Sequence, residues 1–120
     1  MNNTYKTLRV SPMIPSFDVP ATATFFIELF GFKTFRDDGN YRILYKDDCT
    51  IHIERAGTDI GEMEFYLEVD DINGLWANMG GRLGDIKVRP PFDRDYGMRE
   101  FHVIVPHTKT LMFVGQVIIQ

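Results

Sequence analysis

The chain has 120 residues, enough for one domain that buries roughly two-thirds of its unfolded surface. A hydrophobic content of 44% with 25% charged residues excludes a disordered polymer. The net charge of −4, with Lys and Arg scattered along the chain, argues against a nucleic-acid surface.

Ten Phe, five Tyr and one Trp make the chain rich in rings that either build a core or line a pocket. A mildly acidic surface favours cationic ligands over anionic ones. Cys49 stands alone, so no internal disulfide and no cysteine zinc cluster can form; in an apparent strand it is expected to be a buried, inert thiol. No apolar run approaches membrane-spanning length, and the first residues carry no apolar signal core. The expectation is a cytoplasmic protein with neither a membrane nor a nucleic acid as partner.

Residues 1–10 are polar apart from Tyr5, Leu8 and Val10 and read as an arm or an edge strand. An extended stretch from Met13 to Phe17 leads into Asp18-Val19-Pro20. Asp18 is placed to cap a helix, and Pro20 suits its first turn, where a missing N–H is no loss. Phe25, Phe26, Leu29 and Phe30 then form one helical stripe, closed by Gly31. Strand patterns follow at Phe32–Arg36, Tyr41–Lys46 and Thr50–Arg55, the first two joined by Asp37-Asp38-Gly39-Asn40, a hairpin turn by composition.

After the linker Ala56–Gly61 the same order begins again. Glu64–Val69 alternates as a half-buried strand. Asp70-Asp71 precede Ile72, Leu75, Trp76 and Met79, which share one helical face, and Gly80-Gly81 close that helix. Strand signals recur at Ile86–Val88, Arg99–Val105 and Thr110–Val114, with an irregular run through Pro90 and Pro91 between the first two. The reading is an α+β chain of two tandem βαβββ modules, 11–56 and 62–116, within one domain spanning 1–120. Helices on one side leave curved inner sheet faces, which form a cleft for a small molecule.

The segment Tyr96-Gly97-Met98-Arg99-Glu100-Phe101 is similar to a Trp-Gly-Met-Arg-Glu-Phe motif of bleomycin-resistance proteins. With Phe25-Phe26-Ile27-Glu28-Leu29-Phe30-Gly31-Phe32 and Glu68-Val69-Asp70-Asp71-Ile72, the doubled unit resembles the vicinal oxygen chelate superfamily. That superfamily includes glyoxalase I, extradiol dioxygenases, and fosfomycin- and bleomycin-resistance proteins. The resemblance runs from about Ser11 to Gln116 and implies the glyoxalase/bleomycin-resistance fold, with homodimers that share their clefts. The turn Pro106–Thr110 departs from the family's Asp-Pro-x-Gly-Asn.

Metal-using members hold an ion with four inward side chains, and these positions carry over to Ser11, His52, Glu64 and Met112. Neither Ser11 nor Met112 replaces imidazole or carboxylate, so only His52 and Glu64 stand as weak metal candidates and no cofactor is expected. The function implied is metal-free sequestration of a planar or cationic ligand, without catalysis. The ligand-binding candidates are Phe35, His52, Glu64, Tyr66, Tyr96, Arg99 and Met112. Tyr96 occupies the place of a ring-stacking tryptophan. Two alternatives share the fold: a metal-dependent glyoxalase, dioxygenase or thiol-transferase-type enzyme resting on His52 and Glu64, and a non-catalytic dimeric scaffold or regulatory domain.

Overall fold

The computed structural model describes residues 4–118. Residues 1–3 of the expected arm and 119–120 lie outside them. The first module is β1 (Met13–Ser16), α1 (Val19–Phe30), β2 (Lys33–Asp37), β3 (Tyr41–Lys46) and β4 (Cys49–Arg55). The second is β5 (Met63–Glu68), α2 (Ile72–Met79), β6 (Val88–Asp93), β7 (Met98–Ile104) and β8 (Thr110–Val117). Their sheets have the same order, β1-β4-β3-β2 and β5-β8-β7-β6, with one parallel pair in each (β1 with β4, β5 with β8). Two copies of one topology in one chain are what the repeated pattern predicts. The strands form two four-stranded mixed sheets, one per module.

Helix ends follow the expected chemistry. Asp18 Oδ1 accepts from Ala21 N at 3.1 Å, and Asp71 Oδ1 accepts from Gly74 N at 3.0 Å, satisfying amides that have no partner inside the helix. Gly31 ends α1 at φ 76°, where a side chain would be strained. Gly80 does not turn left-handed; α2 instead tightens into a 3-10 turn over Gly80–Arg82.

One apolar core unites the helices with one face of each sheet. Phe101 on β7 is fully buried and meets Phe30 of α1 at 6.5 Å and Trp76 of α2 at 5.1 Å between ring centroids. Polar ties reinforce the junction: Phe17 N donates to His107 O (2.8 Å), Thr22 Oγ1 to Pro106 O (2.8 Å), and Arg82 Nη1 to Glu28 O (2.8 Å). The Pro106–Thr110 turn closes without a glycine because His107 adopts φ 63° and the Thr108 hydroxyl donates to Val105 O.

Two expectations are corrected. The sixth strand runs from Val88 to Asp93, through both prolines, not from Ile86 to Val88. It is an edge strand whose register shifts between Arg89 and Phe92, and an edge bulge is where missing amide donors are tolerated. Cys49 is exposed, not buried, because it opens β4 directly after the Asp47-Asp48 turn.

Candidate functional site

Strand alternation divides each sheet into a core face and an open face. In the second module Phe101, Val103, Met112 and Val114 point into the core. Tyr66, Phe113, His102 and Phe92 lie on the opposite, open face. They follow the strand order β5-β8-β7-β6 and make a continuous row of rings. Tyr66 stacks on Phe113 (6.2 Å, 25° between planes), Phe113 meets His102 (4.1 Å), and His102 meets Phe92 edge-on (5.2 Å). The Arg89 guanidinium lies 3.7 Å from the Phe92 ring centre, a cation–π contact that terminates the row. The edge bulge in β6 brings Phe92 into this row.

Beneath the rings sits Glu100, a fully buried carboxylate. Its Oε2 accepts from Tyr66 OH at 2.8 Å and from the hydroxyl of Tyr96; its Oε1 accepts from Arg94 Nη1 at 3.0 Å and pairs with His102 Nε2 at 2.9 Å. Burial by itself would push this carboxyl upward. The bonds from His102, Tyr96 and Tyr66 and the charge of Arg94 outweigh it and hold the group below the ordinary glutamate range. The two phenols respond in the opposite sense. Burial and then the bond to Glu100 raise Tyr66 well above the usual phenol value, and the bond to Glu100 is the main cause of the rise at Tyr96. Arg94 also spans Phe92 (5.2 Å) and Tyr96 (4.8 Å). One buried anion therefore fixes two phenols, an imidazole and a guanidinium.

The open face of the first module is smaller. Tyr41 OH and His52 Nδ1 lie 2.7 Å apart with their rings perpendicular. Phe35 is the extra residue of a bulge in edge strand β2, stands 72% exposed, and meets Tyr45 edge-on at 6.5 Å. His52 lines a cavity of about 570 Å³ with Arg9, Phe35, Tyr45 and Thr50.

Of the seven sequence candidates, Tyr66 and Tyr96 converge on Glu100, and Phe35 and His52 share the first-module cavity. Glu64 lines a different cavity, with Met63, Ile104, Lys109 and Leu111, so His52 and Glu64 are not brought together in one chain. Two candidates lie away from both of these sites. Met112 is fully buried on the core face of β8. Arg99 lies on the same side of β7 as Phe101; its guanidinium forks onto Asp93 (2.7 and 3.2 Å) and reaches Asn73 of α2. Ser11, the remaining metal position, is hydrogen-bonded to Thr50. No group of three His, Cys, Asp or Glu side chains suited to a metal occurs among the described residues.

Sequence reasoning missed Phe92, Arg94, Glu100, His102 and Phe113. Alternation separates Glu100 and His102 from Phe101 and Val103, which was the available signal for those two. Both faces of β8 are apolar, so nothing in its pattern distinguishes Phe113 from Met112.

No family model and no curated protein matches the sequence. Solved structures do match. A bleomycin resistance determinant encoded on the transposon Tn5 superposes with a TM-score of 0.78 at 22% identity, covering 92% of this chain and 98% of that one. This is the bleomycin-resistance/glyoxalase fold. The bleomycin-binding protein from bleomycin-producing Streptomyces verticillus, complexed with copper(II)-bleomycin, matches at 0.75 with 23% identity, over 98% of this chain and 100% of that one. A lactoylglutathione lyase from Agrobacterium tumefaciens matches at 0.74 with 13% identity, over 92% and 94%. The same fold thus carries both binding and catalysis, and side chains decide between them. No described helix is long and apolar enough to cross a membrane.

Proposed function

We propose that this protein binds a planar, cationic organic molecule without transforming it, in a cleft completed by a second copy of the chain. The observation that carries the reading is the row Tyr66–Phe113–His102–Phe92, laid along an open sheet face and anchored on buried Glu100. Rings fixed in advance lose little freedom when a flat ligand stacks on them, and each stacking pair adds about 0.5–1.5 kcal/mol beyond area burial. The carried-over metal positions support a metal-free reading, since Ser11 is hydrogen-bonded to Thr50 and Met112 is buried in the core, leaving too few imidazole and carboxylate groups for an ion.

A second copy is favoured by exposed surface. The chain exposes 8005 Å² with a radius of gyration of 15.4 Å. A compact monomer of its size would expose about 6,700 Å² and measure about 13.6 Å. Exposed apolar side chains on the arm and open faces contribute to that surface, including Leu8 (87% exposed), Val10 (94%) and Phe35 (72%). Opposing the first-module face of one copy to the second-module face of the other would cover both and enclose a ligand between Phe35 and Tyr96. Titration with metal-free bleomycin and with the planar cation proflavine, alongside sedimentation, tests this. Saturable binding of either by a dimer is expected. A monomer that binds neither refutes it.

A further inference from the structure

The geometry points to Tyr66 and Tyr96 as hydrogen-bond acceptors for the ligand, with Glu100 the positioning residue that sets this polarity. The inference rests on the small-molecule reading above and deepens it by naming what the site selects: a flat cation bearing N–H donors on its edge. A phenol has a single proton, and both of these phenols spend it on the Glu100 carboxylate. Each oxygen is left with lone pairs and no donor. Donation to a charged carboxylate also enriches the phenol oxygen, making it a stronger acceptor than a free tyrosine.

Accessibility agrees with this assignment. Tyr66 is 43% exposed and Tyr96 is 54% exposed, whereas Glu100 is not exposed at all. The carboxylate therefore acts through the phenols and does not itself touch a ligand. The remaining carboxylate partners, Arg94 and His102, occupy Oε1, so Oε2 is left to the two phenol protons. Gly115 makes the arrangement possible. A Cβ there would lie 2.6 Å from Tyr66 Cζ, so any side chain would push the phenol off the carboxylate. A site built this way rejects ligands whose edge presents only acceptors, because a lone pair would face a lone pair.

Two acridine dyes separate the possibilities. Proflavine carries primary amino groups on its rim, and acridine orange carries the same groups fully methylated; both are flat cations at neutral pH that share a protonated ring N–H, so the pair isolates the rim amino donors. Wild-type protein is expected to bind proflavine roughly tenfold more tightly, the worth of about one hydrogen bond to a charge-assisted acceptor. Tyr66→Phe and Tyr96→Phe, each retaining its ring, should each shrink that preference. Glu100→Gln should shrink it as well, because an amide donor facing a phenol oxygen frees the phenol proton. If methyl bulk alone caused the preference, both Phe variants would keep it. Equal binding of the two dyes to wild type, or a preference unmoved in both Phe variants, overturns this inference while leaving the small-molecule reading intact. Failure of wild type to bind either dye overturns both.

Discussion

The hydroxyl end of Tyr66 lies over Gly115: the phenol of one occupies the space in which the other would carry a side chain. A Cβ built at position 115 falls 2.6 Å from the phenol Cζ, and the strand pairing of β5 with β8 leaves neither backbone free to retreat. Gly115→Ala is expected to destabilise the fold by about 1–3 kcal/mol, the cost of driving a phenol off a charged carboxylate. The cost should largely vanish in a Tyr66→Ala background. Urea unfolding of both single variants and the double variant gives the coupling, and strict additivity would show that the two side chains do not compete.

The Glu100 network contributes to stability at both pH extremes. Its carboxyl is held below the ordinary value of 4.5, so its contribution is fully present above that pH and is lost as pH falls through the lower folded value. The phenols shift the other way. Tyr66 and Tyr96 titrate above the ordinary value of 10.0, so their stabilisation is present below pH 10 and is lost as pH rises through the folded values. Urea midpoints measured across pH should fall at both extremes in wild type. Glu100→Gln should be less stable at neutrality and lack the acid limb that Glu100 supplies.

Phe101 joins what the chain repeats. It touches the first helix through Phe30 and the second through Trp76, so the two modules share it. Phe101→Ala should cost about 3–5 kcal/mol. Loss of this ring weakens both modules, so unfolding followed by Trp76 fluorescence and by far-UV circular dichroism should coincide. Two separated transitions in the wild type would show that the modules fold independently.

A cleft shared between copies has a consequence for mixtures. Phe35→Ala damages one wall and Tyr96→Ala the other, so each pure variant should bind proflavine weakly. In a mixed dimer one cleft combines both lesions and the other is intact. Co-refolded mixtures should therefore regain high-affinity sites, fewer than wild type. No regained affinity would place both walls on the same copy.

Much of the scaffold was legible in the sequence because its signals are local. Asp18 and Asp71 mark helix starts, Gly31 a left-handed stop, and Asp37–Asn40 a hairpin, each through an interaction spanning a few residues. The repeated order of elements followed. Proline content misled the reading at β6, where the edge position of the strand, a property of the sheet, made Pro90 and Pro91 acceptable.

By itself, then, the sequence determined two βαβββ modules and placed Tyr66 and Tyr96 among the candidates. Only the tertiary structure decided that their protons meet on one buried carboxylate, that Phe113 rather than Met112 faces outward, and that Arg99 braces Asp93 and α2. The reason is range. Caps and turns are settled between near neighbours, whereas the register of β5 against β8 and of β8 against β7 joins Tyr66, Phe113 and Glu100 across tens of residues. A pattern with apolar residues on both sides of a strand cannot report which side remains open.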